Sequence, residues 1–271
     1  MGRLFSMTYW QQKVALVTGG SSGLGLAVAR QLVERGAKVI LVARGEAALA
    51  SAAQTLGSEV LPVAADVTQP AEVTKAVYAG LERFGRLDLV CHAAGRSMRG
   101  EVLDTTREEF EELWQVNFLA ATDLVRATAE YLLASRGHVV LIGSLASRVA
   151  PRYLGAYPTS KYPLAAYAQQ LRLELGPRGL HTLLVCPGPI ARNDALPRYA
   201  SAGVPESAHR PGGGARVKAI DPDLLAAKIL TACERRQAEL VVPGRARILF
   251  ALSQISPRWG DWLLRKTMGN S

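Results

Sequence analysis

The chain has 271 residues, 49% of them apolar, and a formal net charge of +9. That length accommodates one large α/β domain or two small ones, with apolar residues enough for a sizeable core. Its three cysteines, Cys91, Cys186 and Cys233, form no CxxC pair, which excludes a disulfide framework and a zinc site and fits a reducing, cytoplasmic compartment.

Residues 1–11 lack the apolar stretch of a secretory signal and read as a flexible terminus. An apolar run at 14–17 then reads as a strand, ending in the turn Thr18-Gly19-Gly20-Ser21-Ser22-Gly23-Leu24-Gly25. Residues 24–34 carry Leu24, Val28 and Leu32 at helical spacing and stop at Gly36. Strands are expected at 38–43, 59–64, 87–91, 138–142, 180–186 and 239–242. Helices are expected at 46–56, 71–84, 107–135, 156–175 and 221–236, the last opened by Asp221-Pro222. Strands alternating with helices predict right-handed βαβ crossovers: a single Rossmann-type, doubly wound parallel sheet of about seven strands with helices on both faces. One stretch breaks the rhythm. Residues 187–220 hold five prolines before a Gly212-Gly213-Gly214 triplet, too long and too punctuated for a plain connection. We expect a substrate loop over 189–220.

Ligands of such sheets bind beyond the carboxyl ends of the strands, where the 18–25 turn falls. Bare glycines at 19, 23 and 25 let the backbone approach a pyrophosphate. Ser21, Ser22 and Leu24 lead into a helix whose first N–H groups and positive dipole end face the same anion. The second strand ends in Ala43-Arg44. An acid here would bond the ribose 2′-hydroxyl of NAD(H), whereas Arg44 can grip a 2′-phosphate in a fork, with Ser22 adding a hydroxyl. NADP(H) is therefore favoured over NAD(H).

Tyr157 and Lys161 stand four apart, one face of a helix. A phenol's pKa of about 10 is too high for easy proton exchange at neutral pH, and a neighbouring ammonium stabilises the phenolate. Ser144, thirteen residues upstream at the end of an apolar strand, can hydrogen-bond and polarise a substrate oxygen. Alone, a Tyr-x-x-x-Lys pair is an ordinary surface motif. Behind the glycine turn and Ser144 it reads as a site for proton transfer coupled to hydride transfer.

The set resembles the classical short-chain dehydrogenase/reductase family over about residues 12–243. That resemblance implies a catalytic tetrad of Asn117, Ser144, Tyr157 and Lys161. Asn117 would hold a water beside Lys161 in a proton relay, and Lys161 would also bond the nicotinamide ribose. It implies adenine contacts from Asp66 and Val67 and cofactor contacts from Ala94 and Gly95. It also implies that Pro187, Gly188 and Ile190 flank the nicotinamide carboxamide. Two departures stand out. His92-Ala93 replaces the family's asparagine pair before Ala94-Gly95, and His92 reads as a packed structural residue. Arg192 stands where a threonine usually follows Ile190. The resemblance also implies a homodimer or homotetramer through helices 107–135 and 156–175.

Between residues 209 and 271, eleven Lys/Arg stand against five Asp/Glu. With no basic stripe interleaved with aromatics, nucleic acid is not the expected partner. In the tail, 244–271, the apolar blocks Ile248–Ile255 and Trp259–Leu264 are flanked by cations over 245–267. This is the pattern either of helices packed on the fold or of a peripheral membrane contact. No apolar stretch is long enough to span a bilayer. The function expected is NADP(H)-linked reduction of a hydrophobic, lipid-like ketone, or oxidation of its secondary alcohol. The alternatives are a 3-oxoacyl-thioester reductase and a non-catalytic NADP-binding scaffold.

Overall fold

The computed structural model describes residues 8–191, 204 and 218–268. Seven strands form one sheet in the order β3-β2-β1-β4-β5-β6-β7. They are β1 (Val14–Thr18), β2 (Lys38–Ala43), β3 (Val60–Ala64), β4 (Leu89–His92), β5 (His138–Ile142), β6 (His181–Pro187) and β7 (Glu239–Val242). Every pairing is parallel. The order reverses between β1 and β4, which opens a crevice at their carboxyl ends.

The central strands are apolar without alternation because both faces are covered. Val14 and Leu16 point into a core shared with α3 (Pro70–Phe84), α5 (Ala120–Ala134) and α6 (Tyr157–Leu175). Ala15 and Val17 point into the opposite core, under α1 (Gly23–Glu34), α2 (Glu46–Leu56) and α7 (Pro222–Glu234).

Most expected elements appear within one or two residues, and two regions differ, the helix over 107–135 and the amino terminus. The helix expected over 107–135 is α4 (Arg107–Trp114), a π-helical turn (Gln115–Leu119) and α5. Within the terminus expected to be flexible, Trp10 is fully buried and donates to Glu234 Oε1 at 2.7 Å. Tyr9 Oη donates to His138 Nε2 at 2.7 Å. Two aromatic anchors tie residues 9–10 to the sheet's amino edge. The tail forms two helices, α8 (Ala246–Ile255) and α9 (Pro257–Met268).

The sheet also recruits polar ties. Buried Asp88 accepts the Val14 N–H at 2.9 Å and pairs with Arg86, fixing β4 against β1 where both begin. All three cysteines are buried and free, and burial raises each thiol's pKa, which keeps them unreactive.

Candidate active site

The turn after β1 is built by close approach. A Cβ on Gly19 would lie 2.8 Å from the Ala94 nitrogen, and one on Gly25 would strike the Gly19 carbonyl. Gly23, at φ 54°, would meet nothing within 4 Å. Ser22 caps α1 by position only, its hydroxyl making no bond to the helix amides, and the first turn carries no acid. An open, glycine-lined and uncapped helix start suits an anion such as a pyrophosphate. Ser21 and Ser22 lie at its rim, and Leu24 and Gly25 are buried behind it. The chain's own residues thus fit a dinucleotide.

Arg44 directly follows β2, where no acid stands, and is exposed; Glu46 opens α2 two residues later. Beyond β3, Asp66 Oδ1 accepts from the Thr68 N–H and hydroxyl at 2.9 and 2.8 Å, a local turn, while Val67 is buried in the core. Ala94 and Gly95 lie past β4, across from the glycine turn.

His92, which stands where the resemblance places the first asparagine, ties neighbouring elements together. The Ala94 N–H donates to Thr18 Oγ1, whose hydroxyl donates to His92 Nδ1, each at 3.2 Å. His92 Nε2 donates to the Val116 carbonyl, also at 3.2 Å. The ring is neutral. Burial first, then the charge of Lys161, holds its pKa down at about 3. It joins β1, β4 and the π turn as a structural residue.

The four predicted chemical residues converge on one edge. Tyr157 opens α6, and Lys161 sits one turn later on the same face. Pro158 stands in the first turn, where no helical N–H is required. Pro163, deeper in α6, takes an N–H from the second turn. Lys161 is buried, and its Nζ donates to the Ile142 carbonyl at the end of β5 at 2.9 Å. Burial pulls its pKa down to about 8. Ser144 begins a short 3₁₀ turn (Leu145–Ser147); its Oγ accepts from the Ala146 N–H at 3.1 Å, and the Ser144 N–H donates to Ser147 Oγ. Its hydroxyl hydrogen can point into the cleft.

Asn117, in the π turn, is fully buried. Its Nδ2 donates to Arg96 O and Ser160 Oγ, and its Oδ1 accepts the Arg96 N–H, all within 2.9 Å. The side chain is thus committed to the loop after β4 and to α6. Ser160 Oγ donates onward to the Tyr157 carbonyl. Ser160, Ser147 and Thr18 were not singled out from sequence for these ties. A Cβ on Gly95 would lie 2.8 Å from Asn117 Oδ1 and 3.4 Å from Lys161 Nζ, so only glycine allows the loop this close to both.

Pro187 ends β6, and the Gly188 N–H donates to the Val242 carbonyl. Ile190 pairs with Ile220 in an isolated parallel bridge; Ala191 donates to Ile220 O and Ile220 to Pro189 O, both at 2.8 Å. Both ends of the expected substrate loop meet here. Arg192 and most of that loop lie outside the described residues.

The family model for short chain dehydrogenases matches residues 13–198. The chain belongs to the short-chain dehydrogenase/reductase family. It is therefore an oxidoreductase of a family that uses a nicotinamide cofactor. Among curated relatives, 11-beta-hydroxysteroid dehydrogenase A of Sesamum indicum is 31% identical over 98% of this chain and 78% of its own. A Burkholderia phymatum short-chain dehydrogenase/reductase in complex with NAD superposes with a TM-score of 0.81 at 23% identity, over 98% of this chain and 99% of that one. An alcohol dehydrogenase from Thermococcus sibiricus complexed with 5-hydroxy-NADP gives 0.72 at 25% identity, over 85% and 95%. Such short-chain folds thus hold either cofactor.

Proposed function

We propose that the protein is an NADP(H)-dependent oxidoreductase reducing a ketone, or oxidising the matching secondary alcohol, on a hydrophobic small molecule. Supporting the cofactor choice is exposed Arg44 directly after β2, with no carboxylate to repel a 2′-phosphate. The observation that carries the reaction is Tyr157 and buried Lys161 on one face of α6, with Lys161 Nζ bonded to the Ile142 carbonyl two residues before Ser144.

A bound reduced nicotinamide supplies the hydride to the carbonyl carbon. Ser144 hydrogen-bonds the carbonyl oxygen and holds it toward Tyr157. The Tyr157 hydroxyl gives its proton to that oxygen, and the Lys161 ammonium stabilises the phenolate left behind. The water relay through Asn117 belongs to the same proposal. So do the adenine contacts of Asp66 and Val67, the contacts of Ala94 and Gly95, and those of Pro187, Gly188 and Ile190 near the carboxamide. Residues 12–243 form the catalytic unit and 244–271 an appendage. Exposed Trp114, Tyr162 and Leu173 on α4 and α6 support pairing of two copies through that face. The hydrophobic substrate is supported by the likeness to a protein named as a steroid dehydrogenase.

The test is a fluorescence titration with NADPH and NADH on wild type and Arg44→Ala. NADPH should bind more tightly to the wild type. The substitution should weaken NADPH about tenfold, the scale of one charged contact, and leave NADH unchanged. Equal affinities unaffected by the change would refute the cofactor assignment.

A further inference from the structure

The chain leaves β7 at the carboxyl edge of the sheet, the edge carrying the site, and passes directly into α8. Ala246 and Phe250 are buried against the core, with Leu249 and Leu264 packed on it. That side of the hairpin is accounted for. A Cβ on Gly260 of α9 would lie 2.8 Å from Ser253 Cβ of α8, so the two helices pack there with no room between them.

The outer side is apolar. Ile248 and Ile255 are 64% and 71% exposed, and Trp259 and Trp262 are each 57% exposed. Ile248 and Ile255 are seven residues apart on one face of α8; Trp259 and Trp262 are three apart on one face of α9. Around them stand Arg245, Arg258, Arg265 and Lys266 against the single acid Asp261, while Arg247 turns back to the Glu239 carbonyl. Lys266 Nζ lies 5.1 Å from the Trp262 ring, cation and indole on the same surface. No helix among the described residues is long and apolar enough to cross a membrane.

We propose that the α8–α9 hairpin docks in the plane of an anionic lipid bilayer. Its isoleucines enter the acyl boundary, its tryptophans sit at headgroup depth, and its cations meet lipid phosphates and carboxylates. Charge selects this occupant over a second copy of the chain, because two such hairpins face to face would oppose like charges. The inference does not depend on which ketone is reduced. It would deliver membrane-dissolved substrate to the edge of the sheet that holds Tyr157.

The experiment is sedimentation of the full chain with vesicles of phosphatidylcholine alone or containing phosphatidylserine, at low and high salt. Trp259→Ala/Trp262→Ala and Arg258→Glu/Arg265→Glu are compared with wild type. NADPH binding serves as the folding control and also keeps failure here separate from failure of the cofactor reading. Wild type should pellet with anionic vesicles at least about tenfold more than with neutral ones, lose binding at high salt, and lose it in both variants. Three results overturn the proposal: wild type left in the supernatant with both vesicles, equal binding by the charge-reversed variant, or a lipid-independent dimer abolished by the tryptophan substitutions.

Discussion

The two edges of the sheet bury polar groups to opposite ends. At the amino edge, Tyr9 donates to His138, His138 Nδ1 donates to His181 Nδ1 at 2.8 Å, and His181 Nε2 donates to the Gln237 carbonyl. The chain of donors closes on itself with both rings neutral. Cys233 lies close enough to the two histidines to resemble a metal site. However, ring nitrogens 2.8 Å apart share a proton, whereas two ligands at about 2.0 Å from a tetrahedral zinc stand wider. At the carboxyl edge, among the described residues, the Lys161 ammonium meets one protein acceptor, the Ile142 carbonyl, and keeps donors for a ligand. Polar burial that closes stabilises the sheet. Polar burial left open at the cleft is what chemistry can use.

Four substitutions or conditions separate these roles. Tyr157→Phe should lower ketone reduction by about 10²- to 10⁴-fold while thermal unfolding and NADPH binding stay near wild type; retained turnover across a panel of hydrophobic ketones would remove Tyr157 from the chemistry. Asp88→Ala should act the other way. It orphans the buried Val14 N–H and leaves Arg86 to solvent, costing about 1–3 kcal/mol by urea unfolding, with cofactor affinity of the folded fraction unchanged.

Acidification should read both edges at once. Burial holds the folded-state pKa of His92 and of His138 at about 3, below the ordinary 6.5, and lowers that of His181. The unfolded chain therefore binds more protons below pH 6.5, so stability is complete above that pH and falls toward about 3. Each strongly shifted histidine contributes a slope of up to about 1.4 kcal/mol per pH unit. Urea midpoints at pH 7.5, 6 and 5 measure the slope, and His138→Gln should reduce it. The smallest effect expected is Gly23→Ala: its φ of 54° strains an L residue although the space is open. It should cost about 1 kcal/mol in calorimetry, and an unchanged melting temperature would contradict the strain.

The sheet was legible because parallel strands buried on both faces leave continuous apolar runs such as Val14–Val17 and Val139–Ile142. The candidate site could be proposed because its residues fall at fixed distances from those runs. The rest depends on register. His138 and His181 are 43 residues apart and become neighbours only because β5 and β6 pair them directly. Trp10 and Tyr9 stand alone before the first strand, with no periodicity to mark Trp10 as buried or Tyr9 as a partner of His138. The π turn interrupts an otherwise helical pattern at Asn117, where widening the helix, and no breaker residue, sets the side chain against Arg96 and Ser160.

The bridge between Ile190 and Ile220 has a consequence for how such a protein can change over time. Two main-chain hydrogen bonds pin the chain where it departs and where it returns, and neither uses a side chain. The cost of closing a loop grows only with the logarithm of its length, so the residues between the pins can be replaced, lengthened or shortened with little penalty to the sheet. Under the reading we propose for that segment, as the substrate loop, selectivity can then drift there while Tyr157, Lys161 and the glycine turn stay where they are, and one scaffold can acquire new substrates without having to refold.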